Sequence, residues 1–325
     1  MVKVSVLVPI YNVAKYLPEC LESLRNQTLQ EIEFVCLNDG STDESPEIIK
    51  KFAKNDARFV VINKDNSGYG DSMNKGLEKA QGEYIAILES DDFAELDMCE
   101  KMYKLAKKYD ADVARSNYFY HTEQGDKIHE SIKKQPKTAS LEENYDILYE
   151  EPAIWSGLYR KSFLKKKDIK FLPTPGASYQ DTSFNIKALA MANKIAYTKK
   201  AYLHYRTDNA GSSVKSRAKL EAVSKEYAEV DRYFEEKKIS KKIHCVEQAA
   251  KFGAYHWNLM RLDKNLAKDF IGQIRDEFQS AEKAGLLKKE YFPEKWWIAL
   301  RVIEYTPLSV ALLFLKMRKN MKVSR

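Results

Sequence analysis

Apolar and polar positions alternate in blocks along the first ninety residues. Val4-Ser5-Val6-Leu7-Val8 is a β-branched run closed by Pro9 and predicts a strand. Leu17, Leu21 and Leu24 recur at helical spacing and predict a helix over 13–26. A second strand is expected at Ile32–Leu37, followed by Asn-Asp-Gly-Ser-Thr-Asp. Asp43 or Ser45 is placed to cap a helix over 46–54, with Pro46 in its first turn. Phe59–Ile62 predicts a third strand, and a Gly/Asn/Asp loop then leads into a helix that stops near Ala80, before Gln81-Gly82. Tyr84–Leu88 predicts a fourth strand. Strands that alternate with helices imply right-handed βαβ units and a parallel sheet.

Beyond Asp110 the pattern changes. Asp112–Arg115 predicts a strand that runs into an aromatic stretch, and a polar loop follows. A Pro/Gly loop then precedes a helix ending near Ala192, and Ile195–Tyr197 predicts one more strand. From about Lys215 the chain reads as helical, lysine-rich and aromatic. A boundary near Ser216 therefore separates residues 1–215, an α/β region, from 216–325, a helical one.

In parallel sheets ligands bind outside the carboxyl ends of the strands. Those ends carry Pro9-Ile10-Tyr11-Asn12, Asn38-Asp39-Gly40, Asn63-Lys64 and Glu89-Ser90-Asp91-Asp92. Three carboxylates directly after a core strand repel one another, and burying them costs free energy unless a cation sits among them.

Composition narrows the classes. The 325 residues are 44% hydrophobic and 31% charged, which suits a globular chain with one large or two smaller domains. The net charge of +7 fits an anionic substrate such as a nucleotide, or a membrane surface. No basic domain motif accompanies it, so nucleic acid is not expected as a partner. Cys20, Cys36, Cys99 and Cys245 form no C-x-x-C pair, so spacing indicates neither a zinc site nor a disulfide framework. The N-terminal apolar run is short and lacks a cleavage site, and no run of about 18 apolar residues exists, so a cytoplasmic chain without a membrane-spanning helix is expected.

Four stretches, VSVLVPIYN, NDGSTD, GEYIAILESDD and YQDTSF, resemble the family 2 glycosyltransferases. The resemblance covers roughly the first 210 residues, with the motifs in family order. It implies a GT-A fold, a Rossmann-like and mostly parallel central sheet flanked by helices. It also implies transfer of a sugar from a nucleoside diphosphate to an acceptor hydroxyl, usually with inversion. A divalent cation, Mn²⁺ or Mg²⁺, would neutralise charge on the departing diphosphate.

Beside that resemblance Asp91 is the first choice as metal ligand, with Asp92 the further candidate. Ser90 shares the motif, and Glu89 stands where the family usually has Asp. Asp39 would hydrogen-bond the base or ribose, with Pro9, Tyr11 and Asn12 lining that pocket. An Asx turn serves Asp39 equally well as local structure, and a plain strand-to-helix turn serves Asn12. Asn74 and Gly76 match the family, while Met73 replaces an Arg. Lys64 and Lys75 are candidates for the missing positive charge, although lysines at such positions usually face solvent. Asp181 is the base that would take the acceptor hydroxyl's proton, with Gln180 where Glu is common. A helix cap before Thr182 is the competing role for Asp181. Arg206 would pair with phosphate oxygens, in a loop that closes over the diphosphate, and His204 would add a metal ligand. Trp155 and Tyr179 offer faces for an acceptor sugar, or core packing. Gly68-Tyr69-Gly70 half-matches a dinucleotide fingerprint but lacks its third glycine and follows the wrong strand.

The expectation is therefore a metal-dependent inverting hexosyltransferase. Its partners would be a UDP-sugar donor and a glycan acceptor on lipid or protein. The C-terminal region, with Trp296, Trp297, Leu312, Leu313, Phe314, Leu315 and a basic tail, would either lie on an anionic membrane or pack on the protein, including as a homo-oligomer. The rival readings are a catalytically degenerate scaffold subunit that binds a nucleotide-sugar, and a nucleotidyltransferase.

Overall fold

The computed structural model describes residues 1–133, 135–207 and 217–311. Ser216 and Leu312–Leu315 lie outside them, as does most of the loop expected to close after Arg206. The chain divides into two compact units, Met1–Asn209 and Ala210–Arg325.

The first unit begins β1 (Val4–Ile10), α1 (Leu17–Arg25), β2 (Ile32–Asp39), α2 (Ser45–Asn55), β3 (Phe59–Lys64), α3 (Tyr69–Lys79) and β4 (Tyr84–Ile87). It continues β5 (Phe93–Ala94), α4 (Met98–Tyr109), β6 (Val113–Thr122), β7 (Gly125–His129), β8 (Thr138–Ala139), β9 (Gly157–Arg160), α5 (Lys161–Lys167), α6 (Gln180–Met191) and β10 (Ile195–Arg206). One sheet runs in the order β3-β2-β1-β4-β9-β6-β10-β5, with β7 on β6 and β8 on β10. The first four strands are mutually parallel, as the block pattern predicts. Every residue of β1, β2 and β4 is buried, and the strands are mostly apolar as enclosed strands are, with Ser5, Glu33, Asn38 and Asp39 as buried polar exceptions. This is the GT-A arrangement.

The second half departs from a simple doubly wound sheet. β9 is antiparallel to both β4 and β6, and so wedges between two parallel sets. β10 runs parallel to β6 and shifts register twice, after Thr198 and after Ala201.

Local expectations needed two corrections. α1 starts at Leu17 rather than near Val13, because residues 13–16 form a turn and Pro18 suits only the first helical turn. Neither Asp43 nor Ser45 caps α2: Ser45 is already helical and the cap position is Glu44, with no side-chain bond. Asp43 accepts instead from the amides of Ser45 (3.0 Å) and Ala14 (2.9 Å), so it ties the ends of β1 and β2 together.

The second unit contains α7 (Arg217–Lys237), α8 (Lys241–Leu259), α9 (Lys264–Lys283) and α10 (Glu294–Tyr305). Ser240 caps α8 through the amide of Ile243, and Asp263 caps α9 through Asn265 and Leu266. Trp296 packs against Gly253, where any Cβ would lie 2.3 Å from the indole, so α8 and α10 cross closely. Lys251 is buried between Asp231 (3.2 Å) and Glu277 (2.9 Å). No described helix is long and apolar enough to cross a membrane.

Candidate active site at the carboxyl edge of the sheet

Every strand of the parallel half delivers a polar group to one edge. At the end of β2, Asp39 accepts from the amides of Ser67 and Gly68, both at 3.0 Å, and forms an ion pair with Lys64. Burial opposes its ionisation, but the Lys64 ammonium and the two amides outweigh it and hold the carboxyl below its usual range. Lys64 is therefore buried and paired, not solvent-facing, while Lys75 is half-exposed and pairs with Asp71 at 3.0 Å. Gly40 supplies the turn after Asp39 at φ +70°, with Asn66 too close to admit a Cβ.

The loop after β1 is built from side chains. The amides of Asn12, Val13 and Ala14 bond to Ser41, Ser45 and Asp43 respectively. Asn12, at φ 50°, accepts in turn from the Thr42 amide at 2.8 Å. Its role is thus to join two strand-end loops. Pro9 is buried inside β1, whereas Tyr11 is 53% exposed and presents its ring at the edge.

The run of carboxylates, Glu89, Asp91 and Asp92, lies on the turn after β4. Burial pushes Glu89 up to about 8, with the charges of Asp91 and Asp181 adding to it and a hydrogen bond from Tyr69 opposing it. That bond, from the Tyr69 hydroxyl to Oε1, is 2.6 Å. Ser90 is buried. Asp92 is 1% exposed; its Oδ1 accepts from the Arg206 amide at 2.8 Å, and its Oδ2 is buried with no hydrogen-bond partner. Burial and the neighbouring Asp91 hold the Asp92 carboxyl well above its usual range. Arg206 itself donates to the Asp91 carbonyl (3.0 Å) and to Glu19 (2.6 Å), under the ring of Tyr16 at 4.8 Å.

Asp181 occupies the second position of α6; the cap position belongs to Tyr179, which has φ 64°. The capping role is thereby removed from Asp181. Burial and the charge of Glu151 push its carboxyl up to about 7. Gln180 turns inward, accepting from the Ser178 amide (2.5 Å) and donating to Thr174 (2.9 Å) and Gly176 (3.3 Å), so it staples the loop before α6. That loop also explains the glycines at 68 and 70: a Cβ at Gly70 would lie 2.1 Å from the Leu172 carbonyl. Asn74 uses its carbonyl and amide on the backbone of Phe171, both at 2.9 Å, and so positions the loop rather than presenting a free amide.

His204 is not gathered with Asp91 and Asp92. Its ring stacks between Phe93 and Phe119, and the metal-capable group that contains it is His121, Asp126 and His204. Trp155 is buried and stacks on Tyr205 at 4.8 Å, on the core side of the two alternatives. Three contributors carried no sequence signal. Tyr69 and Tyr205 are ordinary aromatics in sequence, and Glu151, which accepts from Tyr118 (2.5 Å) and Tyr120 (3.1 Å), sits in no recognisable motif. Burial, and then the charges of Glu151, Asp92, Asp91 and Asp181, push the Tyr205 phenol up, so these carboxylates all lie near one side chain.

A family model for glycosyl transferase family 2 matches residues 5–178. EpsH of Bacillus subtilis (strain 168) is 39% identical over 209 residues, which is 62% of this chain and 60% of EpsH. GlyA, a glycosyltransferase of Streptococcus pneumoniae, is 34% identical over 215 residues, 63% of this chain but 30% of GlyA. The chain thus spans less than two thirds of either relative. Among solved structures, Staphylococcus aureus TarS residues 1–349 in complex with UDP-GlcNAc gives a TM-score of 0.75 at 22% identity, covering 95% of this chain and 89% of that 1–349 chain.

Proposed function

We propose that this chain, which belongs to glycosyl transferase family 2, moves a hexose, glucose or galactose or an N-acetyl form, from a UDP-sugar to a hydroxyl of a growing glycan carried on lipid or protein. Residues 1–215 form the catalytic part and 216–325 serve packing, self-association or contact with a membrane surface. What supports the reading is the company Asp181 keeps: it is a charge neighbour of Glu89, as Asp91 is, and burial with the charge of Glu151 pushes its carboxyl up to about 7. A base works best when its pKa lies near the working pH.

The cleft fits a divalent cation. Burial, reinforced by the neighbouring like charges, raises Glu89 and Asp92, and Asp92 Oδ2 is left buried without a hydrogen-bond partner. Asp91, with Asp92 through that oxygen, would hold Mn²⁺ or Mg²⁺. Such an ion supplies positive charge for a diphosphate leaving group. The chain's own residues do the rest. Asp39 accepts from the base or ribose of the donor, with Tyr11 along its edge. Arg206 is two hydrogen bonds away from freedom and can exchange the Asp91 carbonyl and Glu19 for phosphate oxygens. Asp181 takes the proton from the acceptor hydroxyl as that oxygen attacks the anomeric carbon from the face opposite the nucleotide, which inverts the centre.

The nucleotidyltransferase reading loses support here. The amides after β1 that would cradle phosphates are already bonded to Ser41, Ser45 and Asp43. The test is UDP release from a panel of UDP-sugars, with Mn²⁺ or with EDTA, for the wild type and Asp91→Ala. Metal-dependent release from one or two sugars, lost in the variant, is expected. No release together with no UDP binding by calorimetry would favour the scaffold subunit.

A further inference from the structure

His121, Asp126 and His204 come together by register rather than by sequence. His121 and Asp126 are directly opposed across the β6–β7 hairpin, and His204 of β10 is paired with Phe119, two residues before His121 on the same face of β6. His121 Nδ1 lies 2.7 Å from Asp126 Oδ1, and His204 Nδ1 lies 3.0 Å from Asp126 Oδ2. All three ligand atoms fall within 4.8 Å of one another. The His204 ring is held rigidly, 4.3 Å from Phe93 and 4.6 Å from Phe119, nearly parallel to both.

One atom in this group is unsettled. His204 is 7% exposed, and its Nε2 faces Glu95 Oε1 at 3.1 Å. An Nε2–H that donates to this carboxylate leaves a lone pair on Nδ1. That buried nitrogen lies 3.0 Å from Asp126 Oδ2. With the proton on Nε2, the Nδ1 lone pair and the Asp126 carboxylate oxygen face each other, an arrangement that a bound cation would satisfy. A histidine whose far nitrogen donates to a carboxylate is also the usual arrangement of a metal ligand.

We propose that His121, Asp126 and His204 form a second metal site, for Zn²⁺, separate from the carboxylates after β4. Two imidazoles and one carboxylate, with a water in the fourth position, match the donor preference of Zn²⁺ over Mg²⁺. Ligands on a tetrahedral ion are about 3.3 Å apart, so the side chains need only small shifts. The site would fasten the β6–β7 hairpin to β10, two residues before Arg206. The other candidate group, Asp231, His244 and Glu247, already has the Lys251 ammonium 3.2 Å from Asp231 and lacks this vacancy of charge.

The full chain, stripped with EDTA and dialysed, is titrated with ZnCl2 against a chromophoric zinc indicator, and with CoCl2 for the visible bands of tetrahedral cobalt. Wild type and Asp91→Asn are expected to bind one equivalent, with zinc raising Tm. His121→Ala and Asp126→Asn, at accessible positions that leave the fold intact by circular dichroism, are expected to lose at least about 10-fold in affinity and the rise in Tm. Three results would overturn the site: no zinc on the wild type, equal binding by wild type and both variants, or loss confined to His244→Ala. Loss in Asp91→Asn alone would place the zinc at the carboxylates and equally overturn it.

Discussion

Lys64 and Asp39 form an ion pair in which both side chains are only 8% exposed. Asp39 is the acceptor proposed to read the nucleoside, so its charge state is set by a lysine twenty-five residues away on the neighbouring strand. Removing one partner of a buried pair costs about 3–5 kcal/mol, because the other charge is left uncompensated. Lys64→Met is expected to approach that loss, moderated by the two amides on Asp39. The Asp39 carboxyl is lowered in the folded state, so its contribution is present above the unfolded carboxylate range and is lost as pH falls through the folded value. Urea melts across about pH 3 to 7 should show this acid-side slope in the wild type and less of it in the variant.

Asp181 has the opposite sign. Its carboxyl is raised to about 7, so the folded state binds that proton more tightly than the unfolded chain does. Stability from this group is full below the unfolded value and falls as pH rises through about 7. Asp181→Asn should therefore stabilise the fold at pH above 7 by on the order of 1 kcal/mol or more, read as a higher Tm. The same variant should lower kcat by about 10²–10⁴-fold while UDP binding persists. Wild-type kcat/KM should decline as pH drops below about 7. A variant that melts higher and still turns over normally would remove Asp181 from the chemistry.

Two glycine-to-alanine changes should move stability in opposite directions. At Gly70 the new methyl would sit 2.1 Å from the Leu172 carbonyl, so the loop before α6 must shift. A loss of about 1–3 kcal/mol and reduced activity are expected, since that loop leads to Asp181. Gly272 lies inside α9 with nothing within 4 Å of its would-be Cβ. There Ala should stabilise by about 1 kcal/mol with activity unchanged. Paired denaturant melts and initial rates check both.

In the helical unit, Lys251 balances Asp231 and Glu277 beside the buried Glu247. Burial alone would favour the neutral amine, yet the surrounding carboxylates keep it charged and raise its pKa. Lys251→Met should cost about 3–5 kcal/mol. Lys251→Met combined with Asp231→Asn and Glu277→Gln should recover part of it. A melt of the single variant that overlays the wild type would show that the network contributes nothing.

The parallel half was legible because burial on both faces writes strands as apolar runs, and because polar residues at their ends mark the ligand edge. Asp39, Asp91 and Asp181 could be picked out on that basis and by resemblance. What was not legible depended on partners far away in sequence. β9 is four residues long and exists because β4 and β6 lie on either side of it. Asn74 carries a recognisable motif, but its hydrogen bonds go to Phe171, ninety-seven residues on. His204 sits in a plausible metal-ligand sequence, yet the direction and register of β10 turn its ring between Phe93 and Phe119. Glu151 has no local pattern, and only the fold brings its charge to bear on Asp181.

The antiparallel wedge at β9 has a consequence for how the chain is made. On the ribosome, β1 to β4 can pair as soon as they emerge, but the open side of β4 waits for residues 157–160. For some seventy residues of synthesis the nascent sheet carries a bare, wholly apolar border, the kind that recruits other chains. Fragments ending before Gly157 should accordingly be sticky, and crowding or slow elongation through the aromatic stretch should matter more to yield than any change near the carboxylates.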